Sequence, residues 1–82
     1  LLMDKTLNYI IESIKLYARN YVRNNPHWDH EKLLKRIEDK ALMEAQFENY
    51  NLSEEELSYI KKISVRGLEG EMKDTKYFED NR

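Results

Sequence analysis

Apolar residues in the first third of the chain fall at Met3, Leu7, Ile10, Ile14, Tyr17 and Tyr21, in steps that alternate between four and three. That spacing keeps one side of a helix apolar turn after turn. Ile11, Ala18 and Val22 broaden the stripe to the arc that packing inside a globular core requires. The pattern predicts a helix over about residues 4–24, opened by Asp4 as N-cap and closed by Asn24-Asn25-Pro26. The residue ahead of a proline is pushed out of helical geometry, which marks the stop. A second row, Leu2, Tyr9 and Leu16, repeats every seven residues on the side away from the main stripe, and reads either as a further contact surface or as a stripe covered by the C-terminal tail or another helix.

The next amphipathic stretch predicts a helix over about 27–50, started by Asn25 with Pro26 in its first turn or by Asp29. Leu34, Ile37, Ala41 and Ala45 form one stripe, while Met43, Phe47 and Tyr50 lie on roughly the opposite side. A straight helix holding both stripes needs two packing partners; otherwise it kinks near Leu42. A third helix, over 54–66, carries the clearest boundaries. Ser53 and Glu56 have capping-box spacing, and Leu52 and Leu57 are placed as a hydrophobic staple. Glu54 and Glu55 suit the positive end of its dipole, and Lys61, Lys62 and Arg66 the negative end. Leu57, Ile60 and Ile63 are expected inside. Gly67 is expected to close the helix in a left-handed conformation, with Leu68 folding back toward Ile63. Residues 69–82 are polar apart from Met72, Tyr77 and Phe78, and read as a loosely ordered tail or a short extra helix.

The expected fold class is therefore all-α: an antiparallel three-helix bundle over residues 1–68, followed by the tail. Eighty-two residues suffice for one small domain, which buries only roughly 60% of its unfolded surface. With no cysteine there is no disulfide, which points to a reducing compartment and a cytoplasmic location. No run approaches the roughly 20 apolar residues of a membrane span. Leu1 and Leu2 ahead of Met3 read as an expression remnant or a processed end, since they lack the charged leader of a signal peptide. The formal net charge of −2 is unevenly spread. Residues 1–36 hold seven basic and four acidic side chains, and residues 37–82 hold seven and twelve.

Candidate chemistry is sparse. His27 and His30 are three apart and could share a helix face, but a metal site needs three or four ligands and no third is signalled. HEPN-type nucleases carry an arginine, then four to six residues, then a histidine. Here Arg23 and Arg19 precede His27 by intervals of three and seven residues, and both miss. No carboxylate pair sits in an apolar setting that would suit acid–base work. There is no phosphate loop, no cysteine nucleophile and no base signalled beside Ser13, Ser53, Ser58 or Ser64. No enzyme activity, cofactor, metal or small-molecule substrate is expected.

Arg66-Gly67-Leu68-Glu69-Gly70 resembles the end of the inhibitory helix in antitoxins that silence Fic-type AMP-transferases. In that family a Ser or Thr precedes the glutamate by four residues; Val65 stands there in this chain, with Ser64 one place early. The resemblance covers about six residues, and it implies a glutamate that blocks the nucleotide site of a toxin. In composition, the chain also resembles small accessory proteins of phages and mobile elements.

The function expected from all this is binding of another protein, as a regulator, inhibitor or assembly subunit, or self-association into a homo-oligomer. Candidate contacts are Tyr9, Leu16, Met43, Phe47 and Tyr50. The alternative is nucleic-acid binding by the ridge Lys15, Arg19 and Arg23, with Tyr9, Tyr17 and Tyr21 nearby to stack on bases. The acidic overall balance argues against it.

Overall fold

The computed structural model describes residues 5–68; Leu2, Met3, the expected N-cap Asp4 and the tail expected over 69–82 lie outside them. Three helices follow one another, α1 (Lys5–Asn24), α2 (His30–Phe47) and α3 (Glu54–Arg66), and each packs against the other two. The chain is an antiparallel three-helix bundle, with no strand among the described residues.

Helix α1 forms the spine because its stripe is almost wholly buried. Leu7, Ile10, Ile11, Ile14, Ala18 and Val22 all face the core. Tyr17 and Tyr21 stack on each other at 6.4 Å along the edge facing α2. Arg36 of α2 lies over the Tyr21 ring at 5.9 Å and Lys40 over the Tyr17 ring at 5.6 Å. These contacts seal the α1–α2 seam with aromatic faces and aliphatic stems.

Asp29, the later of the two expected starts, caps α2: its carboxylate accepts the Lys32 N–H at 2.8 Å. The five residues before the helix form a tight turn in which the Trp28 N–H donates to the Asn25 carbonyl. Asn25 in turn donates its amide to the Tyr21 carbonyl at 2.8 Å. Trp28 is buried there, plugging the end of the core. Along α2 the buried positions are Leu33, Ile37, Ala41 and Ala45. Leu33 thus takes the innermost place expected for Leu34, which is half-buried. The strict four-residue steps drift slowly around the helix, so the stripe begins one position earlier than a three-step would put it.

Helix α2 stops at Phe47, three residues short of the expectation. Asn49 adopts a left-handed conformation (φ 56°), and the Asn49 and Tyr50 N–H groups donate to the Gln46 and Ala45 carbonyls. This is a Schellman closure with asparagine at the left-handed position. The chain then crosses to Ser53, where the full capping box forms. The Ser53 hydroxyl accepts the Glu56 N–H at 3.1 Å, and the Glu56 carboxylate accepts the Ser53 N–H at 2.9 Å. Leu52 and Leu57 both pack on the core as a staple requires.

In α3, Ile60 is fully buried while Leu57 and Ile63 are half-buried against the core. Ser64 is also buried, a position that helical spacing alone left out. Gly67 departs from expectation: its φ of −67° and ψ of −9° are right-handed. Its N–H still donates to the Ile63 carbonyl, and the Leu68 N–H closes a tighter turn onto Val65. Leu68 reaches the core by continuing the helical path instead of reversing it. Lys61 and Glu38 join α3 to α2 through an ion pair of 2.9 Å.

A candidate protein-binding face on α1 and α2

Helix geometry decides where the remaining apolar side chains point. At about 100° per residue, Tyr9 and Leu16 lie roughly 140–160° around α1 from the buried Ile14. On α2, Met43 lies roughly 120° and Phe47 roughly 80° from the buried Ile37. Both displacements run past the α1–α2 seam to the outer side of the helix pair. The two helices are antiparallel, with Asn24 followed by His30 and with Tyr17 and Tyr21 under Lys40 and Arg36. Residues whose numbers sum to 54–57 therefore lie level with one another. Phe47 comes level with residues 7–10 of α1 and Met43 with residues 11–14. Four apolar side chains are thereby collected within about 14 Å of helix length.

All four are open to solvent. Tyr9 is 55% exposed, Leu16 54%, Met43 62% and Phe47 83%. Half-buried Ser13 sits among them on α1, a small residue at the centre of the patch. Neither expected device for covering the second stripe of α2 is present among the described residues. The helix runs unbroken from His30 to Phe47, and Met43 and Phe47 face solvent. Tyr50 lies apart from this face: it is half-buried against the core, and its hydroxyl donates to the Glu56 carboxylate at 2.8 Å. Leu42 and Tyr59 are exposed singly elsewhere and need no special account.

The basic ridge has a different character. Lys15 is half-buried and paired with Glu12 at 3.4 Å; Arg19 is half-buried and Arg23 exposed. The tyrosines expected to stack on bases are engaged elsewhere, since Tyr17 and Tyr21 pack on each other under Lys40 and Arg36. A wider cationic zone does exist where α1 ends and α2 and α3 have their basic termini. Arg23, Lys32, Arg36 and Arg66 are exposed there, against Asp29 and Glu31, while Lys35 pairs with Asp39 at 3.4 Å. A cleft of about 260 Å³ opens in this zone, lined by Tyr21, Asn25, Pro26, His27, Trp28 and Lys32.

Among the described residues no group of three or more His, Cys, Asp or Glu side chains could hold a metal ion, and no helix is long and apolar enough to cross a membrane. Glu38 has its carboxyl held below the usual range by the hydrogen bond and charge of Lys61. Ser64, the hydroxyl nearest the stretch that resembles the Fic-antitoxin helix end, is buried in the bundle interior; Glu69 lies outside the described residues. No protein-family model matches the chain, and no curated protein or solved structure resembles it significantly.

Trp28 is the structural residue that periodicity overlooks. It stands in a turn between two helices, where no repeat exists to be read, and only its size signals the core.

Proposed function

We propose that this chain is a non-enzymatic protein-binding module, and that its working surface is the outer face of α1 and α2. The supporting observation is the gathering of Tyr9, Leu16, Met43 and Phe47 on one side of a bundle whose core is already filled by other residues. Contiguous apolar patches of this kind mark interaction sites on small soluble proteins, and aromatic and methionine side chains are enriched in them. A small cytoplasmic regulator, inhibitor or assembly subunit, of the accessory kind carried by phages and mobile elements, would act in this way. The exposed fraction of the four side chains makes them removable without loss of the fold. Capture of a specific protein from lysate of the source cell should therefore be abolished by Leu16→Glu or Phe47→Glu, while circular dichroism stays helical. Capture that survives both substitutions would remove this face from the function. The nucleic-acid reading has weaker support, because two of its three tyrosines and Lys15 are already occupied within the bundle.

A further inference from the structure

We propose that the occupant of the α1–α2 outer face is a second copy of this chain, docked antiparallel about a two-fold axis that crosses α1 near Glu12 and Ser13. The proposal rests on the protein-binding reading above and goes beyond it by naming the partner. Three features of the face support it.

Area is the first. With side chains of this size carrying roughly 200 Å² each, the exposures of Tyr9, Leu16, Met43 and Phe47 amount to about 500 Å² per copy. A standard interface buries roughly 800 Å² per partner, and homodimer interfaces are about 65% apolar. The patch thus supplies about the apolar share that a dimer of ordinary size needs, with the polar rim supplying the remainder.

Symmetry is the second. Two residues seven apart on one helix are exchanged by a two-fold axis lying midway between them. Tyr9 of one copy then lies over Leu16 of its partner, and the reverse contact follows automatically. Met43, level with the axis on α2, meets its own equivalent, and Phe47, roughly 6 Å along α2 from the axis, flanks that contact on either side. Ser13 beside the axis leaves room for close approach of the two α1 helices. Glu12, the charge nearest the axis, is already compensated by Lys15 at 3.4 Å.

Charge sets the direction. A parallel pair would set Arg23, Lys32 and Arg36 of both copies side by side. The antiparallel pair moves Lys32 and its equivalent about 30 Å apart along the helix axes. That separation is several times the Debye length of about 8 Å at physiological ionic strength, so the cationic ends no longer repel.

The test is sedimentation equilibrium of the full chain from low micromolar to near-millimolar concentration. The expected result is a monomer–dimer equilibrium approaching twice the 10.0 kDa chain mass. Leu16→Glu, folded by circular dichroism, should weaken association by at least about 30-fold. The chain lacks cysteine, so Lys32→Cys carries one spin label, and pulsed dipolar spectroscopy of the dimer should give a separation of about 30 Å. A monomer at every concentration overturns the second copy as occupant; if capture from lysate still fails on Leu16→Glu, the face binds a different protein and the functional reading stands. A dimer indifferent to both Leu16→Glu and Phe47→Glu overturns the assignment of this face. A label separation well below 30 Å overturns the antiparallel arrangement.

Discussion

Ile14 and Leu16 stand two residues apart on α1, carry side chains of the same composition, and end in opposite surroundings. Ile14 is fully buried, whereas more than half of Leu16 meets solvent. The inner and outer sides of this helix pair are thus both apolar, and among the described residues only the inner one has a third helix to cover it. The converse holds on α3, where Ser64 places a hydroxyl inside the core with no hydrogen-bond partner among the described residues. Apolar pattern alone therefore does not define the interior of this bundle. The number of helices available to cover each stripe does.

The sharpest way to break that contrast is to truncate both residues. Ile14→Ala should cost about 3–4 kcal/mol, from lost transfer energy and the cavity left behind. For Leu16→Ala, urea denaturation of the monomer at low concentration should show a change within about 0.5 kcal/mol. Equal losses would mean that Leu16 is a core residue. A smaller effect of opposite sign is expected from Ser64→Ala, which removes the desolvated hydroxyl and should raise stability by about 1 kcal/mol. A lowered thermal midpoint would instead reveal a hydrogen bond that the Ser64 hydroxyl makes.

The smallest expected effect concerns the seam between α2 and α3. Lys61 depresses the Glu38 pKa in the folded state, so the pair stabilises the bundle above the unfolded carboxyl value of 4.5. That contribution is lost as pH falls through the lower folded value. Lys61→Met should flatten the decline in thermal midpoint below pH 4.5 and leave Leu16-dependent association unchanged. An acid limb identical to that of the native chain would show that other carboxylates set it.

Much of this architecture is legible in the residues. Helix α1 and the start of α3 are written in redundant local signals: an unbroken stripe in one case, a reciprocal serine–glutamate cap in the other. Legibility fails where tertiary geometry overrides local preference. Leu33 and Leu34 are equally apolar neighbours, and only the angle at which α2 meets α1 selects between them. Gly67 permits a left-handed turn but does not compel one, and Leu68 reaches the core without it. Asn49 supplies the left-handed residue at the end of α2 that a search for glycine passes over. The candidate face was half visible: the seven-residue spacing of Tyr9 and Leu16 and the second stripe of α2 stand in the sequence. Their union into one patch needed the antiparallel register, and Tyr50 separates from the others because the Schellman closure turns it toward Glu56.

The connections between helices are short, residues 25–29 and 48–53, so neighbouring helices meet across brief loops and only the α1–α3 contact joins distant parts of the described chain. Little loop entropy has to be surrendered before contacts form, and helical proteins of this low contact order fold in roughly microseconds to milliseconds. A newly made chain would then spend almost no time with Ile10, Ile14 and Ile37 unprotected. Opportunities for misassembly would be confined to the finished molecule, where Phe47 and its neighbours stay on view for as long as it circulates alone.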